Sequence, residues 1–168
     1  KVLLVAGGAN FPDAPPWEGG AKVWHADTWL FDGEMWTAGP PLPAPRAYGA
    51  VVPVGGDAWL IGGGDADSST AEVLVASISA EGTLTFVPAP SLPEPSQFLS
   101  AGLVGRDVVV LAAQRSADAR DLVNATWVLD LDDREGGWRI SAEFPGAAAL
   151  KRVTATQKNA AGKDALYV

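Results

Sequence analysis

Asn10, Glu18, Lys22, His25, Arg46 and Arg152 are the residues whose types and placement suit them to hold or act on a small polar molecule. Arg46 follows Leu42-Pro43-Ala44-Pro45 and opens an apolar run, and Arg152 stands at a similar distance ahead of a later turn aspartate. A planar guanidinium donates two parallel hydrogen bonds, so at the mouth of a channel it suits a carboxylate; it serves equally to tie neighbouring backbone carbonyls together. Asn10, Glu18, Lys22 and His25 share one polar, tryptophan-rich stretch with Phe11, Trp17, Trp24 and Asp27. Their amide, carboxylate, ammonium and imidazole groups suit contacts to hydroxyls, or bracing of the loop itself. Glu18, Asp27 and Glu34 qualify as acid or base only if buried against apolar walls, which raises a carboxyl's pKa. His25 is the only histidine in the chain, which excludes a multi-histidine metal site built from this chain.

These residues are positioned by a repeat of about fifty residues. Gly7-Gly8 falls on Gly62-Gly63 and then on Ala112-Ala113, and Trp36 falls on Phe86 and Trp138. Leu42-Pro43-Ala44-Pro45 falls on Leu92-Pro93-Glu94-Pro95, with Phe144-Pro145 as a weaker third copy. The turn at Gly56-Asp57 falls on Arg106-Asp107 and Lys163-Asp164, each followed by an apolar strand. Within a unit, short apolar runs bounded by glycine and proline read as strands, and no segment keeps a helical period. First strands are expected at 47–53, 98–104 and 153–157, and third strands at 28–31, 72–79 and 126–131; the short fourth strands carry Trp36, Phe86 or Trp138.

Four antiparallel strands repeated at this period predict an all-β fold, a kelch-type β-propeller. The expected units are 1–46, 47–97 and 98–152, with a further unit starting at 153–168. Three blades do not close a ring, since propellers use about 4 to 8. The pattern begins and stops at a second strand, so the expectation is a larger ring, completed by further blades or by another copy of the chain. On this plan the loop 9–27 and the link ending at Arg46 meet at one mouth of the channel, and the turns at Asp57, Asp107 and Asp164 lie on the opposite face. Trp36 and its counterparts are read as packing between blades.

The composition narrows the function classes. A formal net charge of −8 opposes a general attraction to nucleic acid or to an anionic membrane surface, so an anionic ligand needs a local cluster of Arg and Lys. With no cysteine there is no disulfide framework, thiolate metal site or cysteine nucleophile. A copper-radical oxidase on this fold, which needs a cross-linked cysteine, is excluded for the same reason. No run approaches the roughly 18 apolar residues of a membrane span.

The segments Ala6-Gly7-Gly8-Ala9-Asn10-Phe11-Pro12, Trp17-Glu18-Gly19-Gly20, Lys22-Val23-Trp24-His25 and Arg46-Ala47-Tyr48-Gly49 together resemble the cyclically permuted mutarotase branch of kelch proteins, the sialic acid mutarotases or N-acetylneuraminate epimerases. That resemblance implies a six-bladed propeller, periplasmic or secreted, that interconverts the anomers of a sialic acid by opening and reclosing the sugar ring, with no cofactor. It also implies a catalytic Gly-Glu-x-x-Pro-Gly-x-Arg segment, which this chain lacks; Gly63-Gly64-Asp65 is the nearest approach. The catalytic residues are therefore unassigned, and the chain is expected to supply part of the pocket. The alternative is a non-catalytic kelch module that grips a protein or glycan with the same loop face.

Overall fold

The computed structural model describes residues 2–116, 120, 122–150 and 152–168. They form four antiparallel sheets, taken in order along the chain. The first has three strands, β1 (Leu3–Asn10), β2 (Val23–Phe31) and β3 (Trp36–Ala38). Two four-stranded sheets follow: β4 (Ala50–Val54), β5 (Asp57–Ile61), β6 (Val73–Ile78) and β7 (Leu84–Ala89), then β8 (Ser100–Val104), β9 (Asp107–Leu111), β10 (Thr126–Asp130) and β11 (Arg139–Ile140). The last sheet has two strands, β12 (Ala155–Lys158) and β13 (Asp164–Tyr167). Each sheet is a meander in which sequence neighbours pair, which is how a propeller blade is built. The inner strands face one another: β4 packs on β8, and β8 on β12 and β13.

The core lies between sheets. Val52, Trp59, Ile61 and Val73 of the second sheet pack with Leu99 of the following link and with Val108, Val110, Trp127 and Leu129 of the third sheet. A smaller cluster of Leu42, Leu60, Leu74, Ala76 and Leu84 receives Leu4, Ala6 and Leu30 from the first sheet. The aromatic position of the fourth strand joins neighbouring blades in two of its three copies. Phe86 packs into the cluster shared with the first sheet, and Trp138 Nε1 donates 2.7 Å to the carbonyl of Pro90. Trp36 is half exposed and stacks on Phe31 of its own sheet, ring centroids 5.0 Å apart.

The repeat is visible in the hydrogen bonds as well. Leu42 N–H donates to Ala26, Leu92 N–H to Ala71, and Phe144 N–H to Asn124, so each link is pinned to the strand of its own blade at the same place. The Gly-Gly pairs work alike in the first two copies: Gly8 N–H donates 2.7 Å to the Arg46 carbonyl, and Gly63 N–H donates 2.8 Å to that of Ser96. Ala112 N–H donates to Ala125 as Gly62 N–H does to Glu72, whereas Ala113 N–H reaches the Ser96 hydroxyl.

Strand boundaries differ from the sequence reading in several places. The first strands begin at Ala50 and Ser100, because Tyr48 (φ 63°) and Phe98 (φ 54°) take the left-handed backbone region and break the ladder; Ala47 keeps an isolated bridge to Gly64. In the first sheet, β1 runs on through Asn10 and β2 starts at Val23. A bulge between Ala6 and Gly8 bends the pair while Gly8, Ala9 and Asn10 stay opposite His25, Trp24 and Val23. What reads as a loop over 9–27 is thus a hairpin extension capped by a loop at residues 11–22.

Candidate functional site

The extended hairpin of the first sheet and the link into the second sheet meet on one face. Arg46 N–H donates to the His25 carbonyl at 3.0 Å, and the Arg46 carbonyl accepts from Gly8, so the link is stitched into the end of the hairpin. Gly7 permits this approach: at φ 66°, a side chain there would collide with the Arg46 carbonyl. The side chains follow. His25 Nε2 lies 2.8 Å from Asn10 Oδ1, across a hairpin that sets their strands side by side. Since an amide oxygen only accepts, His25 carries its proton on Nε2 in this contact. Asp27 Oδ2 stands 4.0 Å from His25 Nδ1 and is largely exposed.

Lys22 reaches across from the hairpin to the link. Its ammonium donates to the Tyr48 hydroxyl and lies 4.5 Å, 5.1 Å and 5.7 Å from the ring centroids of Tyr48, Trp24 and Phe11. Three aromatic rings at these distances attract a cation through their quadrupoles. The Tyr48 ring in turn lies 4.3 Å from that of Phe98, its counterpart in the next blade.

Arg46 is buried and bonds to the Glu72 carboxylate, which joins the link to the residues leading into β6. One arm of its guanidinium is therefore committed within the protein. Its Nη1 is buried with no hydrogen-bond partner among the described residues. Pro43, Pro45, Ser69, Thr70 and Glu72 line the open cleft beside it, and Ser69 Oγ is likewise buried and unpartnered.

The structure pairs Asn10 with His25, carries Lys22 to Tyr48 of the link, and ties the Arg46 backbone to the hairpin end while its guanidinium turns to Glu72; it separates the other two candidates. Glu18 is exposed on the short 3-10 turn Pro16–Glu18 at the loop tip, beside the exposed Trp17, and no hydrogen bond among the described residues ties its carboxylate to the cluster. Arg152 does not occupy the place of Arg46. The last hairpin turn is longer, with Lys158 facing Asp164 where Val54 faces Asp57 and Val104 faces Asp107. Counting back along the strands from these pairs puts Arg152 level with Tyr48 and Phe98. Its guanidinium lies 4.8 Å from the Phe144 ring and donates to Ala147 and Asn124, bracing the link 144–150.

Glu72 and Tyr48 belong to the site and were not singled out from the sequence. For Tyr48 a signal existed, an aromatic residue at the same offset in two repeats; for Glu72 none did. Asp27 and Glu34 are exposed, so neither has the apolar walls that would suit it to acid or base work. Among the described residues no three His, Cys, Asp or Glu gather as a metal site, and no helix is long and apolar enough to cross a membrane.

The chain is similar to known proteins over part of its length. Proteins named N-acetylneuraminate epimerase from Brucella suis and Brucella melitensis are 40% identical to this chain over 74 residues, 39% of the chain and 19% of their own length. One of the same name from Yersinia pestis is 33% identical over 93 residues, 49% of the chain and 23% of its own length. The matched segments therefore span less than a quarter of these relatives. A solved structure entitled "Structure of YjhT" superposes with a TM-score of 0.61 at 17% identity, covering 84% of this chain and 48% of the other. No family model matches the chain. With its meandering sheets packed inner strand to inner strand, the chain has a β-propeller fold, and over part of its length it is similar in sequence to proteins named N-acetylneuraminate epimerase.

Proposed function

We propose that this chain supplies one side of the pocket of a sialic acid mutarotase, a kelch-type propeller of six blades acting in the periplasm or outside the cell. The observation that carries this reading is that the link bearing Arg46 is stitched to the end of the hairpin that bears Lys22, Asn10 and His25, in a chain whose net charge is otherwise −8. Two cations beside neutral hydrogen-bonding groups suit a ligand with one carboxylate and several hydroxyls. The names of the relatives support a sialic acid as that ligand. Anomer exchange of such a sugar needs a base for the anomeric hydroxyl, an acid for the ring oxygen and a cation for the carboxylate. In this reading Arg46 and Lys22 supply the positive charge, and the main catalytic segment comes from chain beyond these residues.

The test is anomer exchange followed by proton NMR on the full-length protein that carries this chain. Exchange faster than in buffer supports the reading; tight binding of the sugar without acceleration favours the alternative, a module that only binds. Titration calorimetry addresses Arg46 directly. In the full-length protein Arg46→Ala is expected to weaken an acidic sugar by about 2 to 5 kcal/mol while barely affecting a neutral analogue. An equal loss for both ligands would assign Arg46 to the Glu72 tie alone.

A further inference from the structure

We infer that the tip of the first hairpin, residues 11–17, is a second ligand site, which stacks a neutral pyranose sugar on the Trp17 and Phe11 rings and takes its hydroxyls on the Asp13 carboxylate. The site is separate from the Lys22 and Arg46 contacts, so it stands whether or not the chain takes part in anomer exchange.

Trp17 is 82% exposed on the turn Pro16–Glu18, and Phe11 is exposed beside the same groove. Tryptophan is on average a well-buried residue, so this degree of exposure needs a reason. Looseness is not that reason, because the backbone around the indole is fixed. Glu18 and Gly20 N–H both donate to the Pro15 carbonyl, at 3.0 Å and 3.1 Å, and Gly19 N–H donates to that of Pro16 at 3.2 Å. Pro12, Pro15 and Pro16 lock their own φ. The returning chain passes so close to the outgoing one that a Cβ at Gly20 would collide with the Ala14 carbonyl. A turn held this way presents the indole before any ligand arrives, and binding then costs little further ordering.

The size and lining of the groove decide what fits it. Phe11, Pro12, Asp13, Pro15, Pro16 and Trp17 border an open space of about 550 Å³, within the ~300 to 1,000 Å³ of small-molecule sites. One short loop is far less than the roughly 20 to 30 residues that each side of a stable protein interface contributes. An anion is opposed by Asp13, by the neighbouring Glu18 and by the net charge of −8. A cation is opposed from the other side, because the Lys22 ammonium already lies 5.7 Å from the Phe11 ring centroid. A wholly apolar ligand would strip water from the exposed Asp13 carboxylate without replacing its hydrogen bonds. A neutral pyranose meets all of these conditions: its C–H face covers an aromatic ring, and the hydroxyls on its rim donate to a carboxylate in charge-assisted bonds.

Saturation-transfer NMR on the full-length protein that carries this chain tests the site. The probes are methyl β-glucopyranoside and methyl β-galactopyranoside, with tetramethylammonium and a free sialic acid as the cationic and acidic comparisons. Methyl glycosides cannot open their rings, so the result is independent of anomer exchange, and failure of either reading leaves the other intact. Transfer to the ring protons of at least one pyranoside is expected, with a dissociation constant in the millimolar range. The indole N–H resonance that is missing from Trp17→Ala should shift as that sugar is added. Trp17→Ala is expected to weaken the pyranoside at least about tenfold and Asp13→Ala at least about threefold, while Trp17→Phe, which keeps an aromatic face, loses less. The bonds that hold the turn are backbone to backbone, so these variants keep its shape. No transfer to either pyranoside, an affinity that Trp17→Ala leaves unchanged, or tighter binding of tetramethylammonium or the sialic acid at the Trp17 indole overturns the inference.

Discussion

A single residue in this protein often serves two neighbours. Arg46 shows this most clearly, with Nη2 on Glu72 and the backbone on both Gly8 and His25. Arg46→Ala removes the Glu72 tie while leaving both backbone bonds in place, which is why the acid and neutral ligands must be compared on the same variant. Short acidic side chains close turns in the same economical way. Asp65 accepts from the backbone N–H groups of Ser68 and Asp67, and those bonds hold its carboxyl below the usual carboxylate range; Asp32 is lowered likewise by Met35 and Glu34. A depressed carboxyl contributes stability that is complete above its unfolded pKa and is lost as pH falls through the folded one. Denaturant midpoints measured from pH 7 down to 2 are therefore expected to fall less steeply for Asp65→Asn than for the parent chain below about pH 4, the ordinary range of the group. Parallel curves would show that the turn carries no such linkage.

At the scale of the element, the first blade depends on a glycine bulge. The Gly7-Gly8 pair bends β1 so that its last residues keep pairing with β2 while the Arg46 link crosses over them. Leu42 packs beside Gly7 as Leu92 packs beside Gly62, so the space of an absent side chain is filled by the leucine of the Leu-Pro link. Gly7→Ala places a Cβ against the Arg46 carbonyl at φ 66° and is expected to destabilise the chain by at least about 2 kcal/mol. Gly56→Ala is the matched control, because its φ is ordinary and its surroundings are open; it should be near neutral. Chemical denaturation of both variants checks this, and equal midpoints would mean that the bulge tolerates a side chain.

Across the whole molecule, the blades are unequal in what covers them. The second and third sheets bury both faces of their middle strands, whereas the first leaves Leu3, Val5, Trp29 and Trp36 exposed. Register pairs Leu3 with Phe31, Val5 with Trp29 and Phe31 with Trp36, so these side chains share one face. Phe86 occupies the equivalent place in the next blade and is covered by the first sheet. An apolar face of this kind drives association. Sedimentation of the 168-residue chain is expected to show dimers or larger species, and a well-folded monomer of 17.3 kDa would contradict the expectation.

The blades themselves were legible in the amino-acid sequence, because a strand and its turn are dictated locally. Alternating apolar residues, the Gly-Asp and Leu-Pro punctuation and the fifty-residue spacing return in each unit, and the sheets follow them. The meeting of the hairpin that bears Asn10, Lys22 and His25 with the link that bears Arg46 was also within reach, since strand alternation decides which loops emerge together. Tertiary structure decided the rest. Arg152 reads as a second Arg46 by its distance from the turn aspartate, yet three more residues in the last turn move it level with Tyr48. Glu72 becomes the partner of Arg46 only when the link of one blade lies beside the leading residues of β6. The left-handed backbone of Tyr48, and with it the contact to Lys22, exists because hydrogen bonds from two blades hold the link in a conformation that tyrosine would not choose alone. Local sequence specifies periodicity and turns, whereas register and contacts between loops depend on how whole blades pack, and that is settled by the sum of many distant contacts.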